Sequence, residues 1–303
     1  MPVQADTGRV RRLVYVVVSA VALCGVVSVG AAGCGRATAT PKDHHPSTAA
    51  ESVESSAPVT HDIPADVVPM VLPVTGADTR WTQGLDAFLQ AARYSALRDC
   101  VRAHGLAMPD VPPPMFVRYM DIPDLAYIRA HGFATGTGPV PAAPVSPAGG
   151  SPSAGQQQCI STANDADRTV RALLRPVQQG YLATLSAVRD RPEVTAAYRG
   201  LGACLQAHGI AAADEQAFFG LVDSRLHALD GKPGRAAAEH ELAVAYADCM
   251  QPVEAVREPL RGEQRTGFVT AHAKDVDALR STLVAQLHDL ARQYGIDIAF
   301  PAL

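Results

Sequence analysis

Apolar side chains recur along this chain with helical periods. Trp81, Leu85, Phe88, Ala92, Ala96 and Cys100 follow one another at steps of three and four and mark one face of a helix. Asp78 or Thr79 is placed to cap it, so the predicted start lies near Arg80, and His104-Gly105 is its stop. Pro109 to Pro114 cannot continue it. Helical spacing returns near Gln157 and runs to about Arg189, with a kink or break predicted at Pro176. Pro192 suits the first turn of a further helix that ends at His208-Gly209. Asp214 can cap the next, which carries Phe218, Leu221, Val222, Arg225 and Leu229. Asp230 to Gly234 reads as a turn, and a helix from about Arg235 to Met250 is predicted to be interrupted at Pro252. The last long helix places Val276, Leu279, Leu283, Leu287, Leu290 and Tyr294 on a packing seam, and Gly295 ends it. No run alternates with period two, so the fold class is all-α.

The N-terminal region has a different pattern. Arg9, Arg11 and Arg12 precede a stretch from Leu13 to Ala32 without charge, which closes on Gly30-Ala31-Ala32-Gly33-Cys34. A basic start, an apolar run and small residues at its end are the grammar of a secretion signal. Ala31-Ala32-Gly33-Cys34 resembles the lipobox of bacterial lipoproteins, with Ala31 where that box usually carries Leu or another branched residue. The resemblance implies cleavage before Cys34 and diacylation of its sulfur. The alternatives are an uncleaved transmembrane anchor, for which about 20 apolar residues suffice, and an ordinary secreted protein. Cys24 is the poorer lipidation candidate because Leu23 is too large for the cleavage position, and Arg11-Arg12 reads as part of the ordinary basic region. The expected organisation is a signal peptide over 1–33, an Ala/Ser/Thr/Pro tether over 34–77 and a helical domain over 78–303. Within that domain a Pro/Gly/Ser-rich insertion occupies about 136–156. A coil of about thirty residues spans about 30 Å end to end, enough to hold the body off a membrane.

The cysteines add a repeat. Cys100-Val101-Arg102-Ala103-His104-Gly105-Leu106 matches Cys204-Leu205-Gln206-Ala207-His208-Gly209-Ile210, and Arg129-Ala130-His131-Gly132-Phe133 repeats its second half. Cys and His four apart share a helix face, so metal ligation is conceivable. A helix stop explains the motif better: Gly105, Gly132 and Gly209 act as C-terminal caps, His meets the negative end of the helix dipole, and the next apolar residue folds back. The expected metal and cofactor complement is therefore none. Cys159 and Cys249 remain. In an oxidising compartment four cysteines pair, and the pairing Cys100–Cys159 with Cys204–Cys249 closes each repeat onto the helix that follows it. The competing arrangement joins Cys100 to Cys204.

Composition limits the function. Of 303 residues, 48% are hydrophobic and only 5% aromatic, so the core is built from small side chains. Lys plus Arg is 26 and Asp plus Glu is 30, a net charge of −4, which argues against a nucleic-acid partner. Removal of 1–33 takes away three Arg and one Asp and leaves −6, so attraction to an anionic bilayer falls to the acyl anchor alone.

No catalytic motif is complete. His240-Glu241 lacks a second histidine because Val244 stands in its place. Gly149-Gly150-Ser151-Pro152-Ser153 is no nucleophile elbow. His44, His45 and His61 read as spacer, and Asp165, Asp167, Glu239, Glu241, Asp275 and Asp277 read as solvated helix faces.

The lipobox-like signal, the Ser/Thr/Pro tether and the paired Cys-x4-Gly helical body resemble the uncharacterised secreted lipoproteins of high-GC actinobacteria. In those, too, a Pro-rich loop and a Gly-rich insertion follow the first motif. The resemblance covers roughly 80–295 and implies a fold type and a location without catalytic residues. The expectation is a binding or scaffolding module, lipid-anchored through Cys34 on the extracytoplasmic face of the cell membrane, with a protein or cell-wall partner. The alternative is a cell-envelope enzyme whose carboxylates converge only in the fold.

Overall fold

Thr75-x-x-Asp78 begins the first long helix, α2 (Gly76–Ala103), with a reciprocal capping box. The Thr75 hydroxyl accepts the Asp78 N–H at 3.1 Å, while the Asp78 carboxylate accepts the N–H groups of Val74 at 2.9 Å and Thr75 at 3.3 Å. The helix thus starts four residues before the expected Arg80, because Asp78 is its third residue and not its cap. The computed structural model describes residues 58–105, 108, 110, 116–117, 121–135 and 153–302. The signal, Cys34, the first part of the tether and most of the 136–156 insertion lie outside the described residues.

A short α1 (Val68–Val71) precedes α2, and α3 (Leu125–His131), α4 (Ala154–Arg189), α5 (Pro192–Tyr198) and α6 (Leu201–Ala207) follow it. The chain continues with α7 (Glu215–Ala228), α8 (Arg235–Ala271) and α9 (Ala273–Tyr294). Among the described residues, strands are confined to two-residue pairs. β1 (Val59–Thr60) runs antiparallel to β4 (Phe300–Pro301), and β2 (Phe116–Val117) to β3 (Ala134–Thr135). The all-α expectation holds.

Among the described residues the helices enclose two large apolar cores and a smaller cluster of Val101, Met108 and Cys159 around the first disulfide. In the first, α2 packs on α4 and α9, and Leu85, Phe88, Val170, Tyr181, Leu283 and Leu287 are buried. In the second, α3, α6 and α7 pack on the N-terminal half of α8 around Phe133, Leu205, Phe218, Leu242, Tyr246 and Met250. The seam read on α9 is the buried face: Val276, Leu279, Leu283, Leu287 and Leu290 all point inward. Gly295 ends the helix in the left-handed conformation at φ 59°.

Four further expectations are corrected. The folded body begins before residue 78. Val67, Met70, Val71 and Leu72 are buried in the first core, and the Val59–Thr60 strand clasps the C-terminal segment. This segment hid in the sequence because Pro69 and Pro73 break its periodicity while its apolar content drives it inward. Gly84 of α2 lets that clasp close, since a Cβ there would lie 2.0 Å from the buried Phe300 ring.

Pro176 does not break α4, and Pro252 does not stop α8, which also runs through Pro259. A proline removes one hydrogen bond to the carbonyl four residues back. Here all three rings, and Ala172, Asp248 and Ala255 four residues before them, sit on exposed faces open to solvent, so the lost bond is not a buried one. The third correction splits the helix after Pro192 into α5 and α6 at Arg199-Gly200. Gly202, next to this break, passes so close to the Ala213 carbonyl that a Cβ would lie 2.7 Å from its oxygen.

The fourth concerns Glu239. It is buried on α8, 3.4 Å from Arg235, and it occupies the space a Cβ on Gly132 would need. Asp165, Glu241, Asp275 and Asp277 are exposed as expected, and Asp167 is half-buried.

Candidate functional site: twin cysteine-histidine clusters

Both disulfides form as the favoured pairing has it, Cys100–Cys159 between α2 and α4 and Cys204–Cys249 between α6 and α8. The Cα atoms stand 5.4 and 5.6 Å apart. The repeat places its histidine one helical turn after each first cysteine, on the same face. As a result, Cys100, His104 and Cys159 offer two sulfurs and a ring nitrogen that all lie within 4.8 Å of one another, and Cys204, His208 and Cys249 do the same. The second cysteine of each set is buried, the first half-buried and the histidine exposed. In the first cluster the imidazole rests over Gly155, one turn before Cys159, where a Cβ would touch the ring at 3.5 Å.

The two helix ends are built alike. Gly105 and Gly209 both have φ 74°. The Gly105 N–H donates to Arg102 at 2.9 Å, and the Gly209 N–H to Gln206 at 2.9 Å. In the second copy the Ile210 N–H also donates to the Leu205 carbonyl at 2.9 Å, and the two side chains share the second core, which completes a Schellman cap. Leu106 lies outside the described residues. Gly132 departs from this pattern, with φ 78° and ψ −169°, so the chain leaves α3 extended.

A polar belt on α8 separates the two cores, and no motif pointed to it. Glu254, Arg257 and Arg261 are all buried. Glu254 accepts from Arg257 at 2.8 Å and also from Arg261. Arg257 donates further to the Tyr198 hydroxyl at 2.9 Å and to the Asp121 carbonyl. Three consecutive carbonyls, Leu72, Pro73 and Val74, accept from Arg265, Tyr181 and Arg261 in turn. The belt therefore ties the segment before α2 to α8. Its sequence signal is the spacing of 254, 257 and 261, which places one acid and two bases on a single helix face. Nη1 of Arg261 has no hydrogen-bond partner among the described residues.

Tyrosines complete the belt. Tyr246 donates to Glu215 at 2.6 Å and Tyr198 donates to the same carboxylate at 3.1 Å. Burial is the main cause of a raised pKa at Tyr181, Tyr198 and Tyr246, and it pushes Tyr181 up to about 12. The folded protein then keeps phenolic protons that the unfolded chain gives up near pH 10, so stability is lost as the pH rises from about 10 towards 12. Titration followed at 295 nm should show these three ionising at higher pH in the folded protein than in urea. A helical protein whose tyrosines all ionise together near pH 10 contradicts this.

Each buried carboxylate among the described residues is held by arginine: Asp124 by Arg80, Glu239 by Arg235, and Glu254 by Arg257 and Arg261. Two open surface hollows, one beside Phe133 and Arg235 and one between His61 and His288, bring no pair of facing buried acids together. Compared with known proteins, the chain matches no family model, no curated protein and no solved structure.

Proposed function

We propose that this protein is a lipid-anchored, extracytoplasmic helical module that binds or spaces partners at the cell envelope, similar to the secreted lipoproteins of actinobacteria. The observation that carries the reading is the use of cysteine. All four cysteines after Cys34 are consumed in two disulfides, the state expected of a protein matured in an oxidising compartment. Cys34 then stands apart, at the end of an apolar run and ahead of a tether. No helix of the described residues is long and apolar enough to cross a membrane. The module presents helix faces and the grooves between them to a protein or cell-wall partner. The envelope-enzyme alternative has less support, because the buried carboxylates serve as ion-pair partners and not as facing acids.

The anchor is tested by detergent phase partitioning of the full chain made in a lipoprotein-processing host. The wild type is expected in the detergent phase, starting at Cys34 and carrying the acyl mass there, and Cys34→Ala is expected to show neither that mass nor a new N-terminus at residue 34. A wild type that starts at Met1, or one whose Cys34 carries no acyl chain, overturns the lipoprotein reading.

A further inference from the structure

We propose that each cysteine-histidine cluster is a redox-gated site for a thiophilic closed-shell cation of the zinc class. In the reduced protein it would be held by the two thiolates and the imidazole, with a fourth position left to water. Geometry carries the proposal. Three ligand atoms of the kinds zinc prefers lie within 4.8 Å of one another, twice, in two copies of one motif. Tetrahedral coordination needs sulfurs about 3.7 Å apart, from bonds of about 2.3 Å, and rotation of the cysteine side chains supplies that at the observed Cα separations of 5.4 and 5.6 Å. Each imidazole is exposed, and among the described residues neither makes a hydrogen bond or ion pair, so no existing interaction has to be broken. A helix stop alone explains His next to Gly. The four-residue spacing then sets each histidine beside its own pair of sulfurs, in both copies.

The chemistry balances as follows. A dithiol donor passes two electrons and two protons to one disulfide and leaves as its own disulfide. The cation then displaces the two thiol protons. In the reverse direction a disulfide-class oxidant takes two electrons from the metal-bound thiolates. The protein sulfur–sulfur bond re-forms, the oxidant departs as two thiolates and the cation is expelled. The cation and the disulfide are thus alternative cross-links of the same two helices, and the disulfide is the resting form in an oxidising compartment.

The test uses the full chain, reduced, anaerobic and freed of metal, then titrated with Zn2+, and with Co2+ as a spectroscopic stand-in. The expected result is two ions per chain, thiolate-to-cobalt absorption with tetrahedral d–d bands, and recovery of the helical signal and thermal midpoint lost on reduction. Oxidised protein should bind neither ion at these clusters. His104→Ala/His208→Ala should keep wild-type helicity and midpoint when oxidised, since both rings are exposed. When reduced it should bind each ion at least tenfold more weakly, a floor set by what loss of a mere supporting partner costs a metal site. The proposal is overturned if the reduced chain binds fewer than two ions, if zinc restores no helix, or if the histidine variant binds as tightly as the wild type.

Discussion

Removing both disulfides in metal-free solution is expected to unfold this protein at 37 °C. The bridges close loops of 59 and 45 residues. In the chain-entropy account each stabilises by about 4 kcal/mol, because the unfolded chain loses conformations that the folded one never uses. Together they approach the whole stability of an ordinary domain, about 5–15 kcal/mol. Cys100→Ser/Cys159→Ser and Cys204→Ser/Cys249→Ser should each lower the urea midpoint and steepen the slope, because the unfolded chain expands without its bridge, and the fourfold variant should lack a cooperative transition. A fourfold variant that melts like the wild type would show that the two cores suffice without the bridges.

The second large effect is expected at Glu254. Glu254→Ala should cost about 3–5 kcal/mol, since it leaves Arg257 and Arg261 buried without the carboxylate that both engage. Arg261→Met should cost less. It leaves Glu254 paired with Arg257, and it also removes the Nη1 atom that has no partner among the described residues. Chemical denaturation of both variants gives the comparison. If Arg261→Met proves the more damaging, the hold of Arg261 on the Val74 carbonyl, and not charge pairing, is the main role of the belt.

The parts of the fold legible in the sequence were those written in local chemistry. The α9 seam follows from leucine spacing, the Asp214 cap from side-chain reach, and the Gly105 and Gly209 stops from a conformation that glycine adopts at little cost. The disulfide pairing was legible because each cysteine repeat meets the next available cysteine.

Other features depended on which face of a helix a residue occupies, and this is fixed only by packing. Pro176 and Pro252 look like breaks until their rings are seen on the outer surface. Glu239 looks solvated until Gly132 opens a space for it. Val67 to Leu72 carry no helical period, and only the core they fill identifies them as part of the body. The nearness of His104 and His208 to the sulfurs was half legible. The four-residue spacing put each on the correct face, but the partner cysteine comes from a distant helix.

The placement of the two bridges has a consequence for chain scission. The Pro-, Gly- and Ser-rich stretch 136–152 falls between Cys100 and Cys159, and the exposed turn around Gly231–Gly234 falls between Cys204 and Cys249. A protease that severs one peptide bond in either segment yields two polypeptides still joined through sulfur. The stretches most open to attack by sequence or exposure are therefore the ones whose loss of backbone continuity the molecule can survive as a single covalent particle.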